Sequence, residues 1–159
     1  MPGEASTIIH KIENVGEVEL ATMSFGQSFQ ITPVIMLRAA AAIVNGGKLV
    51  TPHFAVKAAG ADGETVQEFC YETVTNAITE ETSNTMKDIL RQVVEDSGGK
   101  NAYIEGFSIG GKTATSQKLP RGSGKYIASF VGFSSVDNPR VIAMCLIDEP
   151  QGVYYGGTI

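Results

Sequence analysis

The chain has 159 residues, enough for one domain with a real core but not for two. Its 43% hydrophobic and 18% charged residues exclude a disordered chain. A net charge of −5 without a basic run argues against nucleic acid and anionic membrane surfaces as partners, and no apolar run approaches the roughly 20 residues of a membrane span.

Residues 2–24 read as mostly irregular, apart from an apolar-periodic piece at Val18-Glu19-Leu20-Ala21-Thr22-Met23; Met1-Pro2-Gly3-Glu4 has no secretory-signal character. Thr32-Pro33 starts a helix over about 33–45, with a hydroxyl cap followed by proline at the first helical position, and Asn45-Gly46-Gly47 ends it. Its alanines predict close packing against another element. Residues 49–57 read as a strand with Pro52 at an edge or bulge; after the turn Ala61-Asp62-Gly63, residues 65–71 return as a second strand.

A second helix is predicted over 80–96. Thr79 caps it, Glu80 and Glu81 suit its positive end, and Met86, Ile89, Leu90, Val93 and Val94 form an apolar stripe. Three strands follow near 107–118, 126–133 and 140–148. The links at Pro120-Arg121-Gly122-Ser123-Gly124 and Asp137-Asn138-Pro139 are short enough to require antiparallel neighbours. Residues 141–147 are apolar on both faces, which predicts a strand covered on each side. The pattern as a whole predicts a mixed α/β fold of the α+β type, with an antiparallel sheet packed with helices. Cys70 and Cys145 share no zinc-type or redox spacing, and Cys145 is expected as a buried free thiol. His10 and His53 have no ligand partners nearby and are expected at the surface or core rim, so neither a metal nor a cofactor is expected.

Two chemistries claim the stretch Gly110-Gly111-Lys112-Thr113-Ala114-Thr115. Residues 106–113 (GFSIGGKT) satisfy the phosphate-loop pattern, and Asp148-Glu149 close an apolar strand as magnesium-binding acids do in nucleotide hydrolases. A phosphate loop must follow a buried strand and open a helix, but Tyr103-Ile104-Glu105 is too short for that strand and Pro120 breaks the helix. Thr113 and Thr115 suit a β-strand entering a hairpin instead. A nucleotide-binding module and a non-catalytic scaffold domain stand as the alternatives.

Read as a strand, Lys112-Thr113-Ala114-Thr115 resembles the Lys-Thr-Gly strand of penicillin-binding transpeptidases, with Ala114 where glycine is usual. Further blocks extend the likeness to the C-terminal part of the transpeptidase domain of class B, monofunctional, penicillin-binding proteins. They are Pro2-Gly3-Glu4, Leu20-Ala21-Thr22-Met23-Ser24-Phe25-Gly26-Gln27, Thr32-Pro33, Ala41-Ala42-Ile43-Val44-Asn45-Gly46-Gly47 and Leu49-Val50-Thr51-Pro52-His53. Gly99-Lys100-Asn101-Ala102, Phe130-Val131-Gly132-Phe133 and Ile147-Asp148-Glu149-Pro150 complete the set.

The resemblance implies part of a penicillin-binding-protein/β-lactamase-like fold in a parent enzyme that crosslinks peptidoglycan stem peptides ending in D-Ala-D-Ala and binds β-lactams. That parent would be anchored at the extracytoplasmic face of the cell membrane. By the same resemblance, Lys112 would supply positive charge at the catalytic centre, and the hydroxyls of Thr113 and Thr115 would hold the ligand carboxylate. The Thr115 N–H would serve as an oxyanion-hole donor, and Ala114 would line the groove, as would Ser116 and Gln117 at its rim. The family's Ser-x-x-Lys and Ser-x-Asn elements are not matched. The one spacing match, Ser97-Gly98-Gly99-Lys100, sits at a helix's C-terminal break rather than at a helix start. The chain is therefore expected to be a fragment lacking the nucleophile and the closing helix. Alone it is expected to be inactive, soluble and prone to self-association or strand exchange.

Overall fold

The computed structural model describes residues 3–120 and 122–159; Met1, Pro2 and Arg121, used in the readings above, lie outside them. The N-terminal stretch is more ordered than its sequence suggests, since the apolar-periodic piece forms helix α1 (Glu17–Met23). Its start is set by Gly16, whose N–H donates to the Glu19 carboxylate at 3.1 Å.

Helix α2 (Pro33–Val44) begins as its cap predicts, with Thr32 Oγ1 accepting the Ile35 N–H at 3.3 Å. It ends at Asn45. Gly46 and Gly47 follow at φ +82° and +84°, a left-handed conformation in which a side chain is strained. Gly47 also lies against the backbone of Ile78, where a Cβ would come within 2.0 Å of the carbonyl oxygen.

Between the helices, one hairpin was expected over 49–71, and two nested antiparallel ladders are found. Strands β1 (Leu49–Val50) and β4 (Thr73–Val74) form the inner ladder; β2 (Lys57–Ala59) and β3 (Thr65–Glu68) form the outer one. The predicted turn is present, and Gly63 N–H closes it onto Gly60 O. The first strand is interrupted after Val50, where Pro52 cannot donate to a ladder.

Helix α3 (Glu80–Asp96) has the predicted bounds and cap, with Thr79 Oγ1 accepting the Thr82 N–H at 3.1 Å. Its inward stripe is Ser83, Met86, Leu90 and Val94, spaced three or four residues apart; Ile89, expected inside, is 48% exposed because it falls off that line. After Ser97, a short 3-10 turn spans Lys100–Ala102. Ser97 therefore lies at a helix end, which agrees with setting aside Ser97-Gly98-Gly99-Lys100 as a nucleophile motif.

The last third is a three-stranded antiparallel meander, β5 (Ile109–Gln117), β6 (Tyr126–Ser134) and β7 (Val141–Asp148), in the order β5-β6-β7. Registry is continuous, from Ile109 opposite Ser134 to Gln117 opposite Tyr126, and from Ile127 opposite Asp148 to Ser134 opposite Val141. The core gathers Val44 of α2 with Phe133 and Val136, and Ile43, Leu90 and Ile142 pack against it. The helices therefore cover the sheet face that carries Phe133 and Ile142.

Covering one face only corrects two expectations. Strand β7 is not enclosed on both sides: Val141 and Ile147 are exposed, and Cys145 is an exposed free thiol rather than a buried one. Side chains alternate along a strand, so Val141, Ala143, Cys145 and Ile147 point to the face opposite the helices. On that face the chain returning at Gly156 and Ile159 leaves only a cleft of about 40 Å³ beside Cys145 and Ile147.

Candidate functional site

The contested stretch lies entirely in β5, paired residue by residue with β6. No helix opens at Lys112, so no N-terminal turn of amides converges there, and the phosphate-loop alternative fails on geometry. Asp148 and Glu149 are also engaged. Lys118 Nζ donates to the Asp148 carboxylate at 2.9 Å and to Glu149 at 2.8 Å, and Lys125 Nζ lies 3.1 Å from Glu149. Hydrogen bonds from Lys118, then Lys125, hold the Glu149 carboxyl below its usual range. Asp148, then Glu149, raise the Lys118 ammonium. Sequence reading missed this clamp, which pins the end of the β5–β6 hairpin to the end of β7. Among the described residues no group of three or more His, Cys, Asp or Glu side chains could hold a metal.

Two features of the sequence place Lys112 and the threonines. The run Lys-Thr-Ala-Thr alternates, so Lys112, Ala114 and Ser116 project to one face and Thr113, Thr115 and Gln117 to the other. The two preceding glycines leave room for rings from β6: a Cβ on Gly110 would lie 2.4 Å from the Phe133 ring, and one on Gly111 2.4 Å from the Phe130 ring. The phenyl groups thus occupy space that any other residue would fill, and the strand can stay flat between them.

Lys112 is exposed, and its Nζ donates to the Thr113 carbonyl at 2.8 Å, which holds the ammonium near the strand. Ala114 and Ser116 are exposed beside it. Thr113 and Thr115 are half-buried, because the chain returning at Gly156 and Gly157 packs over them; Thr115 Oγ1 accepts the Gly156 N–H at 3.0 Å. Thr113 is backed by Gly98, where a Cβ would lie 3.9 Å from its Oγ1. The structure thus brings Lys112, Thr113, Ala114 and Thr115 onto one strand but not onto one face. Both faces meet at the outer edge of β5, which pairs with no other strand among the described residues.

A cavity of about 530 Å³ lies elsewhere, beside Val34, Arg38, Pro52 and Tyr71, where the His53 ring stacks on Tyr71 at 3.8 Å. Size alone does not make it the site of acyl chemistry: of its lining, the Thr51 hydroxyl donates to the Glu72 carbonyl and His53 Nδ1 lies 2.7 Å from the Thr51 carbonyl, so hydroxyl and imidazole are not paired with each other. The β5 edge instead presents a cation, two hydroxyls and unpaired backbone groups together, the combination that an extended anionic peptide needs. Sequence reading also missed a tyrosine ladder beside it. Tyr126 stacks on Tyr154 at 4.0 Å, Tyr154 leans on Tyr155 at 4.5 Å, and the Tyr154 hydroxyl donates to that of Tyr155.

Comparison with known proteins gives the chain a family. The model of the penicillin binding protein transpeptidase domain matches residues 1–159. Stage V sporulation protein D of Bacillus subtilis is 37% identical over 164 residues, covering 100% of this chain and 25% of that protein. The probable peptidoglycan D,D-transpeptidase PenA of Neisseria meningitidis is 32% identical over 163 residues, covering 99% of this chain and 26% of that protein. Among solved structures, penicillin binding protein 3 of Mycobacterium tuberculosis complexed with aztreonam superposes with a TM-score of 0.85 at 27% identity. That match covers 98% of this chain and 37% of the other. The chain belongs to the penicillin-binding protein transpeptidase domain family, with the mixed helix and antiparallel-sheet fold of that family. It spans about a quarter of the length of these curated relatives.

Proposed function

We propose that this chain supplies one wall of the acyl-donor site of a peptidoglycan D,D-transpeptidase that also binds β-lactams. The observation that carries the reading is the extended Lys112-Thr113-Ala114-Thr115 run on the unpaired edge of β5. An extended stem peptide ending in D-Ala-D-Ala aligns with such an edge through main-chain hydrogen bonds. Thr113 and Thr115 donate to its terminal carboxylate, Lys112 adds positive charge nearby, and the Thr115 N–H stabilises the oxyanion.

In this reading a serine outside the chain attacks the penultimate carbonyl. The Ser Oγ–C bond forms, the peptide C–N bond breaks, and the departing D-Ala amine takes the proton. An amine of a neighbouring stem peptide then attacks the ester carbon; the C–O bond breaks and the serine recovers its proton. A β-lactam follows the first step through its ring amide and stays attached, because the amine it releases remains tethered. The site belongs at the extracytoplasmic face of the membrane, where peptidoglycan is crosslinked. Ala114 adds one methyl to the groove floor where glycine is usual.

The test uses fluorescent-penicillin labelling of the full-length gene product. Lys112→Ala and Thr115→Val are expected to slow labelling at least tenfold, about the loss of one charge-assisted hydrogen bond or more. Wild-type labelling rates in both variants would end the assignment. The 159-residue chain by itself is expected to take no covalent label.

A further inference from the structure

The face of β5 that carries Thr113 and Thr115 is roofed by Gly156 and Gly157, and the roof is held from two sides. Gly156 donates its N–H to Thr115 Oγ1 at 3.0 Å, and Asn101 Nδ2 donates to the Gly157 carbonyl at 3.0 Å. There is no slack in the fit. A Cβ on Gly156 would come within 2.3 Å of the Ala114 carbonyl oxygen, and one on Gly157 within 2.8 Å of the Gly98 carbonyl oxygen. Two glycines therefore let the returning backbone lie directly on β5, and Asn101, from the 3-10 turn after α3, pins it there.

A threonine hydroxyl has one O–H and two acceptor positions. The Gly156 N–H fills one acceptor position, which fixes the oxygen and polarises its O–H toward donation. That bond is the only one the Thr115 hydroxyl makes among the described residues. The O–H proton is thus left for a ligand, and a ligand that accepts strongly is preferred over one that does not. We propose that Asn101 and the Gly156-Gly157 roof are positioning elements that set Thr115 as a hydrogen-bond donor, so that β5 selects ligands ending in a carboxylate over neutral analogues. The proposal rests on the reading of Thr115 as a carboxylate partner. Asn101 touches no ligand in this scheme and acts through the roof.

The experiment measures second-order acylation of the full-length protein by benzylpenicillin and by its uncharged methyl ester. The readout is the ratio of the two rates. Thr115→Val tests the underlying reading, and Asn101→Ala tests the roof. Gly157→Ala is a second disturbance of the roof should the Asn101 variant fold poorly. The carboxylate preference is expected to fall about two- to tenfold in Asn101→Ala and Gly157→Ala, the range of one neutral hydrogen bond. Asn101→Gln, which keeps an amide donor, is expected to recover part of it. If Thr115→Val lowers the ratio but the roof variants leave it at the wild-type value, or lower both rates equally, the positioning proposal fails while the reading of Thr115 stands. If Thr115→Val itself leaves the ratio untouched, both fall.

Discussion

Ser83 on α3 and Ile43 on α2 are joined by a hydrogen bond that closes the end of the alanine helix from outside it. The fully buried Ser83 hydroxyl donates to the Ile43 carbonyl at 2.7 Å and accepts the Gly46 N–H at 3.0 Å. A helix terminus leaves carbonyls without internal partners, and here a neighbouring helix supplies one while also satisfying the first amide beyond Asn45.

Replacing Ser83 with alanine leaves a carbonyl and an amide unpaired in the interior. Ser83→Ala is expected to cost about 1–3 kcal/mol, which for a chain of this length lowers Tm by roughly 2–4 °C per kcal/mol. Thermal denaturation followed by circular dichroism measures it. A loss within experimental scatter would mean that the hydroxyl is not a cap.

The close contacts of Gly111 and Gly132 with the Phe130 ring make a coupled prediction, because a Cβ would come within 2.4 Å and 2.6 Å of it respectively. Gly111→Ala is expected to destabilise by about 1–3 kcal/mol through overpacking. Shortening the ring with Phe130→Leu in the same chain should recover part of that loss, so the double variant is less damaged than the two single changes summed. Strict additivity would show that the ring is not the obstacle.

The clamp of Lys118 with Asp148 and Glu149 has a defined pH signature. The Glu149 carboxyl is held low by Lys118 and Lys125, so its contribution is full above the ordinary carboxylate range and disappears as pH falls through its lowered value. Lys118 is raised, so its contribution holds below the ordinary lysine range and is lost only as pH rises beyond it. Melting temperatures of wild type and Glu149→Gln should differ by a constant amount between about pH 6 and pH 9 and converge below about pH 4. A difference that persists undiminished in acid would contradict the assignment. Lys118 and Glu149 are partly exposed, and Asp148 and Lys125 more so, so the plateau difference is expected to be small and to shrink in salt.

Ala114 separates stability from activity. Ala114→Gly is expected to lower stability by roughly 0.5–1 kcal/mol, since glycine has more backbone freedom to lose. The same change removes a methyl from the face beside Lys112 and is expected to raise the acylation rate of the full-length protein by β-lactams. An unchanged rate in stopped-flow acylation would remove Ala114 from the determinants of ligand choice.

Much of this architecture was legible from neighbours in the chain. Thr32-Pro33 and Thr79-Glu80-Glu81 set both long helix starts, because caps and first-turn charges act within four residues. Pro120 and the alternation of Thr113 with Thr115 favour a strand over a helix after Lys112, and the register of β5 on β6 then rules out the phosphate loop. Single-residue errors such as Ile89 came from reading an apolar stripe without knowing which line of α3 faces the core.

What the sequence alone determined, then, is where the two long helices and the three strands of the meander run and which side chains alternate along β5, since those choices rest on local sterics and hydrogen bonds. Only the tertiary structure decided that Ser83 caps a helix carbonyl 40 residues away, that Thr115 takes an amide 41 residues away, and that Lys118 meets Asp148 across 30. It likewise decided that Cys145 is exposed. Pairings at that separation depend on how layers stack and which sheet face they leave open, and no local propensity carries that information.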